Sequence, residues 1–111
     1  MRYALLVYDD SSSWENVPTS QKQALHGEYH ALANSPCVTD HYRIKQQQSM
    51  KTVRVSEDRT VISEGVSLSQ RELRAFFVVE SADPDSVLEL AARAPAARMG
   101  GAVEVWPLTD R

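Results

Sequence analysis

Features that define several large classes of protein are missing from this sequence. Cys37 is the only cysteine, so no disulfide can form within the chain and the fold does not depend on an oxidising compartment. Lysine and arginine total 12 against 15 aspartate and glutamate residues, which gives a formal net charge of -3. Because no dense basic patch is present to neutralise phosphates, we expect no nucleic acid partner.

Long hydrophobic runs are missing too. The N-terminal apolar run, residues 3–8, is six residues long and ends at Asp9 and Asp10. It is too short to span a membrane, and no signal-peptide cleavage region follows it. The sequence also lacks a glycine-rich phosphate loop, a nucleophile elbow and a Cys-x-x-Cys pair. We therefore expect a cytoplasmic protein without a membrane partner, and no motif identifies a reaction.

What is present is the composition of one globular domain. The chain has 111 residues, of which 42% are hydrophobic and 24% charged. That length suits one hydrophobic core, and neither repeats nor a linker divide it. We assign residues 1–111 to a single domain.

Apolar and β-branched runs predict the strands. They cover residues 3–8, 38–44, 52–56, 60–63, 75–80 and 102–106. The third and fourth runs are separated by residues 57–59, which favours a hairpin with a three-residue loop. Pro107 should end the last strand.

Helical spacing and capping residues predict two helices. Thr19 or Ser20 can cap the first, and Asp83 followed by Pro84 opens the second. A short helical turn is expected at residues 69–73. The first helix has one apolar side, formed by Leu25, Tyr29, Leu32 and Ala33.

This order of elements predicts the fold class and the assembly. It is a ferredoxin-like βαββαβ α+β fold with an inserted β-hairpin. Residues 3–8 and 75–80 are apolar on both faces, whereas a sheet with one face in water alternates apolar and polar residues. Two helices cover one face, so a second copy is the economical cover for the other, as a homodimer with a dimeric α/β barrel. A monomer whose polar loops fold across the sheet is the alternative.

Several stretches also carry a family resemblance. They are residues 2–8, 35–38 with 42–44, 52–55, 76–80, 91–98 and 100–105. In this order, and nearly end to end, they resemble the YCII-related proteins, in particular the branch named for an Asp-Gly-Pro-Phe signature. At the signature this chain has Glu64-Gly65-Val66-Ser67, which keeps the acid and the glycine and lacks the proline and the phenylalanine.

The resemblance implies a ferredoxin-like fold and a dimeric α/β barrel, in agreement with the burial argument. It implies little about activity. Some relatives in the wider group look like enzymes on small aromatic or cyclic substrates, with a first-helix histidine and an acidic partner. Others sit beside sigma factors and are taken to be regulatory.

Two histidines of the first helix are candidates for metal binding. His26 and His30 are four residues apart and project to the same side. A site needs a third ligand, which His41 or Asp40 could supply, but nothing in the sequence requires it. The acid does not directly follow the first histidine, as it does in zinc proteases. We expect no metal and no cofactor.

Acid–base chemistry is the better hypothesis for His26. This residue borders the apolar side of its helix and could meet Asp9 or Asp10 at the end of the first strand. A carboxylate there would fix the tautomer and stabilise the imidazolium. We take His26 and Asp9 as the candidate catalytic residues, with an ordinary half-buried histidine as the alternative.

The last strand contributes a candidate ligand-binding face. If its valines face the helices, Glu104 and Trp106 point into the dimer cavity. Trp106 then either lines a pocket for a planar ligand or plugs the interface. Arg54 either pairs with an anionic ligand or is solvated on the hairpin. The candidate ligand-binding residues are Tyr8, His41, Arg54, Glu64 and Trp106.

Two functions remain open from these residues. The first is a small cytoplasmic dimer that binds a small organic molecule in its cavity, with His-assisted acid–base chemistry as a further hypothesis. The second is a non-catalytic ligand-sensing or regulatory accessory protein. The first predicts that His26, Asp9 and Trp106 converge on a closed pocket, and the second predicts a filled barrel and an exposed apolar patch elsewhere.

Overall fold

A computed structural model of the protein describes residues 1–9, 16–44, 50–64 and 72–109. Within these ranges it contains six strands, two α-helices and a short 3-10 helix, and the predicted α+β class is confirmed. In chain order they are β1 (Arg2–Asp9), α1 (Thr19–Ala33), β2 (Val38–Arg43), β3 (Lys51–Ser56), β4 (Arg59–Glu64), β5 (Glu72–Glu80), α2 (Pro84–Ala92), the 3-10 helix (Pro95–Arg98) and β6 (Ala102–Leu108). No helix in the described ranges is long and apolar enough to cross a membrane.

Four strands form the main sheet, in the order β2-β5-β1-β6 with every neighbouring pair antiparallel. This order is compatible with a ferredoxin-like fold. β3 and β4 pair with each other in a two-stranded sheet, called the ribbon below. All ribbon residues from Lys51 to Glu64 except Thr52 are exposed.

One face of the main sheet, called the closed face, is packed against the helices. Alternate residues of β1 and β5 point to it, because side chains along a strand alternate between faces. These strand residues and the helix residues that cover them are buried and form one core. Its members include Tyr3, Leu5, Val7, Ala75, Phe77 and Val79 from the strands and Leu32, Val87, Leu90 and Ala91 from the helices. The regularly spaced apolar residues of both helices therefore pack against this face of the sheet.

The other face, called the open face, carries the intervening residues of the same strands. Two rows of directly paired residues cross it. The first is Tyr42, Phe76, Leu6 and Glu104, and the second is Asp40, Val78, Ala4 and Trp106. The described ranges place no helix on this face, and its central residues are only half-buried.

Both edge strands have an irregular feature. β2 has an irregularity between Val38 and Asp40, so Val38 pairs with the closed-face Val79 while Asp40 pairs with the open-face Val78. The extra residue changes which of the following side chains of β2 point to each face of the sheet. β6 continues through Pro107, where we predicted its end, because an edge strand tolerates a residue without an N–H.

The ribbon turn also differs from the prediction. Ser56 pairs with Arg59, which leaves a two-residue loop of Glu57 and Asp58 with φ values of 51° and 63°. Positive φ at both positions matches the turn type whose twist suits a hairpin. The predicted three-residue loop is therefore wrong.

The helices begin differently from each other. At α1 the N-cap is Pro18, without a side-chain hydrogen bond, so the predicted cap by Thr19 or Ser20 is wrong. At α2 the predicted cap is confirmed, since the Asp83 carboxylate accepts a hydrogen bond from the N–H of Asp85 at 3.1 Å. Asp10, residues 65–67 of the signature region and residues 69–71 of the predicted helical turn lie outside the described ranges. Residues 72 and 73 of that predicted turn belong to β5, so the prediction is wrong for them.

Candidate functional site

Two polar groups lie at the end of β1, one on each side of the main sheet. Tyr8 and Asp9 are consecutive in an extended strand, so their side chains point to opposite faces. Tyr8 follows Ala4 and Leu6 on the open face. Asp9 lies on the helix side, and, second to burial, its negative charge contributes to the raised pKa of Tyr29 on α1.

The carboxylate of Asp9 is bound by an arginine of β5. Arg74 Nε donates to Asp9 Oδ2 at 2.8 Å, and the Asp9 side chain is only 13% exposed. Arg74 occupies the irregular position of β5, where Val7 pairs with Ala75 but Tyr8 pairs with Leu73. The extra residue in β5 thus provides the cation for this acid.

Tyr29 completes this cluster from α1. Its hydroxyl accepts a hydrogen bond from the backbone N–H of Ala96 at 3.1 Å. Burial, and then the negative charge of Asp9, raise the pKa of Tyr29 to about 12. Tyr29 is therefore protonated at every physiological pH. Its hydrogen bond joins α1 to the 3-10 helix, and the Arg74–Asp9 pair joins the ends of β1 and β5.

His26 lies on α1, and its side chain is exposed. Asp9, the predicted partner, already has Arg74 as its charged neighbour. Since α1 packs on the closed face and Trp106 belongs to the open face, the sheet separates His26 from Trp106. The structure therefore does not bring the predicted catalytic and ligand-binding residues into one pocket, and acid–base chemistry by His26 stays a prediction.

The open face has a polar group at its β6 edge. Trp106 Nε1 donates to Glu104 Oε1 at 3.1 Å. The pKa of Tyr8 is raised, first by burial and then by the nearby negative charge of Glu104. Two of the predicted ligand-binding residues, Tyr8 and Trp106, thus meet at one carboxylate.

A similar group lies at the β2 edge of the same face. The Tyr42 hydroxyl donates to Asp40 Oδ2 at 2.8 Å, and this bond is the main reason that the pKa of Tyr42 is raised. The Tyr42 ring also lies 5.0 Å, centroid to centroid, from the ring of Phe76. An acid and an aromatic residue two positions later therefore stand at each edge of the open face, with apolar residues between them.

The remaining predicted ligand-binding residues lie elsewhere. His41 is paired with Phe77 on the closed side of β2, with their rings 6.2 Å apart. Arg54 and Glu64 are exposed on the ribbon, where Glu64 lies 3.8 Å from the ammonium group of Lys51. These residues do not join the group around Glu104.

The sequence does not predict that Arg74 and Tyr29 lie near Asp9. Arg74 and Tyr29 are 65 and 20 positions from Asp9 along the chain, and no local pattern connects them to it. The acid-x-aromatic spacing, by contrast, is visible twice in the sequence, as Asp40 to Tyr42 and as Glu104 to Trp106.

In the part of the chain that the structure describes, no three His, Cys, Asp or Glu residues cluster as metal ligands. Comparison of the chain with protein-family models gives no match, and comparison with curated proteins gives none either. The structure itself shows an α+β protein with an antiparallel sheet. The resemblance to the YCII-related proteins stays a prediction.

Proposed function

We propose that this chain is a cytoplasmic YCII-related protein that works as a homodimer and binds a small organic molecule between two stacked sheets. The proposal uses the ferredoxin-like order of the main sheet, with the ribbon as an insertion. The open faces of two copies would form the walls of a barrel-like cavity. The observation that carries the proposal is the composition of the open face.

That face is apolar at its centre and aromatic at its edges. Leu6, Phe76 and Val78 are half-buried, although no described helix covers them, and Trp106 and Tyr42 are 53% and 51% exposed. A contiguous apolar surface of this kind marks an interaction site on a globular protein. A second copy provides a matching apolar surface, because a two-fold interface brings the same patch together from both subunits.

The polar groups of the face fit a binding site better than a sealed interface. Glu104 is exposed and presents its carboxylate beside the indole of Trp106. Ligand sites commonly combine apolar walls with a few oriented polar groups. The Glu104 carboxylate, with Trp106 as its donor and Tyr8 close to its charge, is the polar anchor that we assign to this cavity.

A second candidate function is supported by the ribbon. Its four large apolar residues are 50% to 70% exposed, namely Val53, Val55, Val61 and Ile62. A two-stranded hairpin is at best marginally stable alone, so these residues favour contact with another surface. A non-catalytic accessory protein would use the ribbon for such a contact.

The experiment measures mass in solution at micromolar concentration by light scattering after size exclusion. We expect about twice the chain mass of 12.4 kDa for the wild type. Phe76→Glu places a charge at the centre of the open face and should return the mass of one chain. Leu88→Glu, at a residue that is 55% exposed on α2, is the matched control and should leave the dimer intact.

A wild-type protein with the mass of a single chain would remove the cavity and this proposal. If Phe76→Glu stays dimeric while Val53→Ser with Ile62→Ser becomes monomeric, the ribbon is the interface and the second candidate is favoured. Circular dichroism of each variant, together with Leu6→Glu as a second open-face change, separates loss of the dimer from loss of the fold.

A further inference from the structure

We propose that the molecule bound on the open face is an organic cation, a compound with an apolar body and a protonated amine. This inference rests on the proposed function and names its ligand class. It starts from the two acid-and-aromatic pairs, one at the β6 edge and one at the β2 edge. Each pair combines a carboxylate with an exposed aromatic ring.

The β6 pair has the chemistry of a cation site. The Glu104 carboxylate accepts a hydrogen bond from the indole N–H of Trp106 at 3.1 Å, and, second to burial, its charge contributes to the raised pKa of the nearby Tyr8. An ionised carboxylate accepts up to about four hydrogen bonds, so acceptor positions remain for a ligand ammonium group. The exposed indole face next to it attracts the same cation through its quadrupole.

The charges of the open face favour a cation over an anion. The two rows that cross the sheet contain Asp40 and Glu104 and, among the described residues, no lysine or arginine. Stacking two copies would bring two pairs of carboxylates into one interface. Burying them without compensation is costly, whereas a bound cation provides the compensating charge.

Three arginines lie on the described strands of the main sheet. Arg74 is bound to Asp9, Arg43 pairs with the closed-face Ala75, and Arg2 lies opposite Glu80 on the open face, one row beyond Ala4. Arg2 and the Arg54 of a partner's ribbon are therefore the competing sources of positive charge. The test below separates these arginines from a ligand.

The test compares three probes of one shape that differ in charge, namely 2-phenylethylammonium, 2-phenylethanol and phenylacetate. Binding is followed by the fluorescence of Trp106 in a Trp14→Phe background, since the chain has two tryptophans. We expect the ammonium probe to bind about tenfold or more tighter than the alcohol. Phenylacetate should bind more weakly than the alcohol.

Variants assign the difference to the carboxylates. Glu104→Gln should reduce the affinity for the ammonium probe to that for the alcohol and leave the affinity for the alcohol unchanged. Glu89→Gln, at an exposed acid of α2, is the matched control and should change neither. Without any probe, Asp40→Asn combined with Glu104→Gln should tighten the dimer, because it removes uncompensated charge.

Equal binding of the ammonium probe and the alcohol, preference for phenylacetate or absence of binding by all three would overturn the organic cation. A double variant that dimerises more weakly than the wild type would do the same, since it would show that an arginine already pairs with these acids. In each of these cases a dimer of the wild type still supports the proposed function. A monomeric wild type would remove both.

Discussion

The two faces of the main sheet are made from the same strands but have different surroundings. Leu5 of β1 is 1% exposed beneath the helices, whereas its neighbour Leu6 is half-buried on the open face. On β5, Phe77 and Phe76 show the same contrast. Within each of these two pairs the side chains are equally apolar, so hydrophobicity alone does not decide which of them this chain buries by itself.

The difference between the faces shows which apolar residues of the strands are covered by the helices. They account for the alternate residues of β1 and β5 that form the core. They do not account for the intervening residues, which an antiparallel sheet facing water would replace with polar ones. The three predictions below test this contrast, in order of decreasing effect.

The largest effect should come from truncating neighbouring leucines on opposite faces. Leu5→Ala should lower the free energy of unfolding by about 2–5 kcal/mol, because it leaves a cavity in the core. Leu6→Ala should cost less than this in the monomer, because Leu6 is only half-buried there. Urea unfolding over a range of protein concentrations gives both values.

The concentration dependence provides the sharper comparison. If two copies cover the open face, the wild type and Leu5→Ala should become more stable as concentration rises, while Leu6→Ala should do so less. Equal losses of unfolding free energy for Leu5→Ala and Leu6→Ala at low protein concentration would contradict the difference in burial between the two faces.

The second prediction concerns Tyr29 on the closed side. Its folded pKa of about 12 lies above the ordinary value of 10, so its contribution to stability is complete below pH 10 and is lost as pH rises from 10 towards 12. Tyr29→Phe lacks this contribution. Below pH 10 the variant should be less stable by about 1 kcal/mol through the lost hydrogen bond from Ala96, and the gap should narrow above pH 10.

Urea unfolding from neutral to alkaline pH measures this gap. Tyr42→Phe is the control from the open face, where the hydroxyl is exposed and bonded to Asp40. Its gap to the wild type should change less with pH than that of Tyr29→Phe. A gap for Tyr29→Phe that stays constant across the alkaline range would contradict the burial of this hydroxyl.

The smallest effect should come from the cap of α2, which helps to cover the closed face. The Asp83 carboxylate accepts from the Ser86 hydroxyl at 2.8 Å and from the Asp85 N–H, and these bonds lower its pKa. Its contribution is therefore present above the ordinary pKa of 3.8 and is lost as pH falls below that value. Asp83→Ala should lower the melting temperature slightly at neutral pH.

Acidification provides the check on the cap. The difference between the wild type and Asp83→Ala should shrink as Asp83 becomes protonated, whereas the difference between Asp83→Asn and Asp83→Ala should persist, because the amide oxygen caps without titrating. An Asp83→Ala difference that is the same at neutral and acidic pH would contradict the role of the charge.

The sequence predicts the parts of the fold that local patterns determine. The apolar run of β1, the Asp83-Pro84 start of α2 and the alternation of Glu104 with Val103 and Val105 all lead to the observed elements. Each signal lies within a few residues of the element that it specifies. The assignment of Trp106 and Glu104 to the face opposite the valines is likewise confirmed by the pairing of β6 with β1.

The sequence does not predict features that depend on distant pairing. The irregularities in β2 and β5 depend on which residue of the neighbouring strand lies opposite, and they decide the surroundings of Asp40 and Arg74. The bond between Arg74 and Asp9 follows from one of them. A hydrophobic pattern read along one strand contains no information on the register of the next.

The edges of the main sheet restrict how it can grow. At β6 the ring of Pro107 removes a donor from the outermost strand, and at β2 the irregularity near Val38 breaks the regular spacing of donors and acceptors. Both devices discourage the addition of a foreign strand, which is how sheets lengthen into fibrils. Open-ended growth of the main sheet by strand addition is therefore disfavoured at both of its edges.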